Sequence, residues 1–246
     1  MGWSVRSALL SILSSCAIAC AAPSEGSHAA TPGAPIAPGA PLAAAPADPA
    51  ASAALDAWPF APAPSLEEKA AQIERLRRDP GPIRTNWTPP GKTERYGHAE
   101  GFVGAPYDVV RTRLSDFGHY KDLAGPKFKK VSVVDKSRAG TDVYFQLPIM
   151  KGLVTIWYVT RFSAAQKAQG GGEVIEGHFV KGNIKGMHIA FTVRPGPDEA
   201  NTVMVCDLVL SLNIPAPQSN LDEELRDACG DAVNALRRTT APPPPP

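Results

Sequence analysis

The chain has 246 residues, with 25 Lys and Arg against 24 Asp and Glu and a formal net charge of +1. That balance excludes the basic excess expected of a nucleic-acid binder and the acidic excess of a solvating tail. Proline is the unusual component: fifteen of the 26 fall in two stretches, ten between Pro23 and Pro64 and five from Pro242 to Pro246, so the composition averages a folded domain with chain that cannot build a core.

The first twenty residues read as an export signal. Arg6 supplies the positive start, and the apolar run from Ala8 to Ala19 is too short to span a bilayer. Ala17-Ile18-Ala19-Cys20 resembles the lipobox of bacterial lipoproteins, which ends in an acylated cysteine. Leu13-Ser14-Ser15-Cys16 fits the same pattern, but the longer apolar run favours Cys20 as the lipid attachment point. Ordinary cleavage near Ala21 or Ala22 is the competing reading and gives a secreted protein. The expected location is therefore outside the bacterial cytoplasm, either anchored to a membrane of the envelope through the N-terminal lipid or secreted. Residues 21–64 are Ala, Pro, Gly and Ser with almost no charge and read as an extended, disordered tether.

Residues 65–93 read as a short helix and a loop. Ser65-Leu66-Glu67-Glu68 is a capping-box sequence, and the helix it starts should end near Arg78, before Pro80. Its narrow apolar stripe, from Leu66 to Leu76, suits a helix packed on the domain or a solvated one. Pro80 to Lys92 reads as a loop. Arg95 to Val103 is a predicted strand, and Pro106 then opens a helix through Val109, Val110, Leu114 and Phe117. A short helix or turn covers Gly118 to Lys127. Six strands follow: Phe128 to Val134, Asp142 to Ile149, Leu153 to Phe162, Glu173 to Lys181, Lys185 to Arg194 and Thr202 to Leu212. Short loops between them imply an antiparallel meander with one apolar face to cover. The last element carries a continuous helical stripe, Leu221, Leu225, Ala228, Cys229, Ala232, Val233 and Leu236, with Asp222, Glu223 and Glu224 expected in its first turn. Residues 241–246 are a proline tail.

Ala105-Pro106-Tyr107-Asp108-Val109-Val110, then Leu114, then Asp116-Phe117-Gly118-His119-Tyr120 resemble the opening of the START-like superfamily, which includes coenzyme-Q-binding START-type and polyketide cyclase-like proteins. The resemblance extends in element order over residues 94–240. It implies an α+β helix-grip fold, a curved antiparallel sheet wrapped around a long C-terminal helix, with a cavity between them. Such a cavity implies a lipid or other hydrophobic small molecule as the partner. The motif carries no catalytic group and no cofactor.

Period-2 patterning selects the side chains that should line this cavity: Val143, Phe145 and Leu147; Ile156, Tyr158 and Phe162; Phe179; Met187, Ile189 and Phe191; Leu208; and, from the helix, Leu221, Leu225 and Ala228. The same parity turns Cys206 and Cys229 toward one interior, where they either form a disulfide or remain two buried thiols. Pairing Ile175 and Phe179 with the apolar face of the next strand requires an even register sum, which sets His178 beside His188 on the outer face; a two-residue turn at Gly182-Asn183 would instead point His178 inward. Two histidines are too few for a closed zinc site, so they read as a surface pair and no metal site is expected.

No zinc-protease, phosphate-loop, dinucleotide or serine-elbow motif occurs, and Gly170-Gly171-Gly172 reads as a hairpin loop. A cyclase or dehydratase reading needs an inward acid or base, and only Tyr144, Tyr158, Arg161 and His178 form a pool for it. The leading expectation is a non-enzymatic binder of a lipid or other apolar molecule. A cyclase-like enzyme and an envelope interaction module without a ligand are the two rivals.

Overall fold

The computed structural model describes residues 65–241 apart from 90–91, 150–153, 169 and 214–216. The expected signal with Cys16 and Cys20, the tether and the proline tail lie outside the described residues.

Helix α1 (Leu66–Arg78) starts as its sequence predicts. The Ser65 hydroxyl accepts from the Glu68 backbone N–H at 3.1 Å, and Glu68 accepts from the Ser65 N–H at 2.6 Å. The helix is docked rather than free: Leu76 is buried, and Gln72 and Arg75 both donate to the Glu100 carboxylate of the following sheet. Part of the segment expected as loop is strand β1 (Ile83–Trp87). Its residues do not alternate cleanly, so the period-2 signal is weak; pairing with β2 (Tyr96–Val103), from Ile83↔Glu100 to Trp87↔Tyr96, supplies the order. Helix α2 (Tyr107–Ser115) begins directly after Pro106, and a 3-10 turn (Phe117–His119) leads into the short α3 (Tyr120–Ala124).

The six expected strands are all present: β3 (Lys130–Ser137), β4 (Gly140–Ile149), β5 (Val154–Phe162), β7 (Glu173–Gly182), β8 (Gly186–Pro195) and β9 (Thr202–Ser211), with a two-residue β6 (Gln166–Lys167) beside β7. All pairings are antiparallel, and the sheet order is β1-β2-β9-β8-β7-β5-β4-β3. The chain therefore lays the β1–β2 hairpin first and returns to β2 with β9, the long-range closure that gives the sheet its grip. Register shifts between Val133 and Asp135 and between Val159 and Thr160 mark bulges in the other half of the sheet. Bulges bend a strand and sharpen its twist, which curls this half around the interior.

The closing helix α4 (Gln218–Thr240) fills the concave face. It begins one turn earlier than its acidic run suggests, at Pro217, so Asp222 sits in the second turn rather than the first. There it is buried and accepts from Arg95 at 2.7 Å and from the Gln218 side chain at 2.7 Å. Leu225, Cys229, Val233 and Leu236 form the buried stripe. Glycine lets the backbone of α4 approach β2: a Cβ at Gly97 would lie 2.4 Å from the carbonyl carbon of Leu225. At its far end Arg237 donates to the carbonyls of Phe102 (2.6 Å) and Pro80 (2.9 Å), which ties the helix to β2 and to the segment after α1. This is the helix-grip arrangement, a curved antiparallel sheet holding its C-terminal helix.

Candidate functional site

Two faces of the sheet carry different chemistry. On the concave face, parity works as expected. Val143, Phe145, Ile156, Tyr158, Phe162, Phe179, Met187 and Phe191 all belong to one buried cluster with Met204 and Cys206. Phe162 is its centre: its ring lies 5.2 Å from Phe117, 5.2 Å from Tyr120, 6.3 Å from Phe145 and 6.5 Å from Phe191. Phe145 also stacks on Tyr158 at 5.3 Å.

The cluster does not close evenly. Leu147, Ile189 and Leu208 point to the same face but are only half-buried, as are Leu210 and Leu212 beyond them. The helix shows the same asymmetry. At 100° per residue, Leu221, Ala228 and Ala232 fall on one line beside the buried stripe. Leu225 is buried, Leu221 and Ala232 are half-buried, and Ala228 is exposed. One flank of α4 thus seals against β2 and β9, while the neighbouring flank and the half-buried strand residues leave apolar surface open to solvent. Aliphatic side chains gain about 25 cal/mol per Å² when such surface is covered.

Few polar groups enter the interior. Burial alone raises the Tyr158 hydroxyl well above its ordinary value. Tyr120 donates to the Leu114 carbonyl at 2.6 Å, and burial likewise raises it. Cys206 and Cys229 both face inward but stand as free thiols rather than the disulfide left open by the sequence. Cys229 Sγ donates to the Gly97 carbonyl at 3.3 Å, and burial, reinforced by neighbouring Cys206, pushes its ionisation upward.

The convex face carries a row of charged and titratable groups. The β7–β8 register sets His178 directly opposite His188, as the even sum requires. The expectation of a surface pair is corrected for one member: His188 is fully buried. It lies mid-sheet, and its neighbour on β9, Val209, is itself buried with Tyr96, against which the half-buried Trp87 packs. A third group, not singled out in the sequence, completes this spot. Glu176 is two residues before His178 on the same face of β7, and its Oε2 lies 3.1 Å from His178 Nε2 and 3.7 Å from His188 Nε2. The Glu176-Gly177-His178 spacing and the even register were the available signal. The next strand outward continues the row with Arg161, which donates twice to Asp142 at 2.7 and 2.8 Å. His178 is therefore unavailable to the interior, and Arg161 is occupied on the same outer side.

Nearby, His98 Nδ1 bonds Asp207 Oδ1 at 2.7 Å, and Trp87 donates to the same oxygen at 2.9 Å. Burial disfavours the imidazolium, but the bond and charge of Asp207 outweigh it, so the His98 pKa is raised above its usual 6.5. A raised folded-state value means that the contribution is fully present below the unfolded pKa and fades as pH rises through the folded one. An NMR titration should therefore place the His98 midpoint above 6.5, and Asp207→Asn should lower it. A wild-type midpoint below 6.5 would contradict the pairing.

Two grooves open elsewhere on the surface. One, of about 510 Å³, is lined by Leu76, Arg77, Phe102, Asn201 and Arg237; the other, of about 440 Å³, by Val109, Thr112, Arg113 and Thr239. Both lie outside the concave face. Among the described residues, no helix is long and apolar enough to cross a membrane.

No sequence family and no curated protein matches the chain. Solved structures do. The STAR-related lipid transfer protein fragment from Xanthomonas axonopodis superposes with a TM-score of 0.53 at 15% identity, over 65% of this chain and 98% of that one. The human StarD13 lipid transfer and protein localization domain superposes with a TM-score of 0.50 at 14% identity, over 73% of this chain and 98% of that one. At these identities the likeness shows the fold, which is START-like.

Proposed function

We propose that this chain is a non-enzymatic carrier of a lipid or another apolar small molecule, held at the mouth between the concave face and α4 and exported to the bacterial envelope. The observation that carries the reading is the half-buried apolar set Leu147, Ile189, Leu208 and Leu210 on the strands, together with half-buried Leu221 and exposed Ala228 on α4. A ligand there covers aliphatic surface that the aromatic core leaves half-exposed. The two structural neighbours, a STAR-related lipid transfer protein and a lipid transfer and protein localization domain, are consistent with this use of the fold.

Lipid attachment at Cys20 and the tether of residues 21–64 would hold the carrier beside a membrane, a source of apolar cargo. A cyclase-like reaction draws less support: His178 sits on the convex face with Glu176, and the interior supplies the Tyr158 hydroxyl and the Cys229 thiol, both raised by burial, rather than a poised base.

Organic extraction and mass spectrometry of the protein purified from its own host should recover a stoichiometric apolar molecule. Cys20→Ser should abolish radioactive palmitate incorporation in the same host without removing that molecule. Recovery of ligand-free protein from the native host would overturn the carrier reading.

A further inference from the structure

We infer that Glu176, His178 and His188 form a binding site for a single divalent transition-metal ion, zinc or a close congener, on the convex face of the sheet. The three donors are brought together by strand geometry alone. Glu176 and His178 are two residues apart on β7 and share a face, and His188 is the cross-strand partner of His178 on β8. One donor atom from each lies within 4.8 Å of the others. The carboxylate edges are tighter, with Glu176 Oε2 at 3.1 and 3.7 Å from the two Nε2 atoms.

Those separations fit an ion. Imidazole nitrogen and carboxylate oxygen sit about 2.0–2.1 Å from zinc, so neighbouring donors in a tetrahedral shell are roughly 3.3 Å apart. Two edges already bracket that distance, and the third closes by side-chain rotation of less than about 1.5 Å. The donor types agree: two imidazoles and one carboxylate suit zinc, iron, cobalt or nickel, whereas calcium and magnesium prefer all-oxygen shells. Two histidines alone leave a zinc shell half-filled; the third protein ligand makes an open three-donor site, with one position left for water or an exogenous anion.

Burial favours the site further. His188 is fully buried and the Glu176 side chain is 13% exposed, so the donors are held in a partly dehydrated setting. His178, at 30%, provides the route from solvent. The nearest cation across the sheet, Arg161, is already engaged by both oxygens of Asp142. A bound ion would link β7 to β8 on the face opposite the apolar mouth, so cargo and metal occupy separate surfaces.

The test is calorimetric titration of the purified, chelator-treated full chain with zinc chloride, paired with cobalt absorption spectroscopy. One equivalent should bind, and thermal stability should rise with zinc by mass action. The cobalt complex should show visible ligand-field bands without a thiolate charge-transfer band, which separates this site from Cys206 and Cys229. His178→Gln and Glu176→Gln should each weaken binding by at least about tenfold, since each removes one of three donors. His178 and Glu176 are both partly exposed, so these variants keep the buried His188 in place. His119→Asn, at an exposed histidine paired with Asp116, should leave binding unchanged. No heat of binding at micromolar protein, a thiolate band, or undiminished affinity in His178→Gln would each overturn the assignment.

Discussion

Gly97→Ala is expected to destabilise the domain by about 3 kcal/mol, at the upper end of the usual cost of overpacking. The added methyl would meet backbone, not a flexible side-chain tip: it would lie 2.4 Å from the Leu225 carbonyl carbon, 2.5 Å from its oxygen and 2.7 Å from its Cβ. Relief requires α4 to move off β2. That movement also breaks the bond from Cys229 Sγ to the Gly97 carbonyl and strains the Arg237 ties to Phe102 and Pro80. For a domain of this size each kcal/mol shifts the melting temperature by roughly 2–4 °C, so differential scanning calorimetry should record a fall of about 6–12 °C. Gly104→Ala serves as the control, because a Cβ there meets nothing within 4 Å. Equal melting temperatures for wild type and Gly97→Ala would show that the helix is not seated as described.

Phe162→Ala is expected to cost about 3–5 kcal/mol. Phe162 is 2% exposed and touches rings from three separate parts of the chain: Phe117 and Tyr120 after α2, Phe145 on β4, and Phe191 on β8. Truncation removes the shared contact and leaves a void that none of these rings can fill alone, since each is fixed by its own element. Urea unfolding should show a lower midpoint at unchanged slope. Phe128→Ala provides the comparison: it is only half-buried at the edge of the cluster, with one ring partner, Phe145, at 5.7 Å. Its loss should be clearly smaller. Equal losses would place the centre of the core elsewhere.

The sheet and the grip were readable from the sequence for a definite reason. From β4 to β9 the long strands bury one face in the shared apolar cluster, so alternation is strong from Val143 to Leu208 and the register could be argued from which pairing buries more apolar surface. The His178↔His188 pairing followed from that argument. Strand β1 escaped because Ile83-Arg84-Thr85-Asn86-Trp87 lies at the sheet edge and is ordered by partners distant in sequence. Arg84 reaches Asp227, and the Asn86 side chain reaches the Asp222 carbonyl. The start of α4 was misplaced because Asp222 looked like a first-turn dipole partner, whereas its carboxylate is occupied by Arg95. The Glu176 contribution was missed for a similar reason. Period-2 reading assigns a face but not which polar side chains on that face converge, and convergence depends on the register of two strands at once.

Ligand binding requires apolar surface that remains accessible between the strands and α4. The most direct measurement is titration of the purified protein with an environment-sensitive apolar fluorophore, comparing wild type with Ala228→Trp. Ala228 is exposed on the open flank of the helix, so the indole should occupy the mouth without disturbing the buried stripe, and stability should change by less than about 0.5 kcal/mol. Wild type should bind one equivalent saturably, and the variant should bind at least about tenfold more weakly, a loss of about 1.4 kcal/mol. Failure of wild type to bind, or equal binding by a correctly folded Ala228→Trp, would contradict a ligand seat at this mouth.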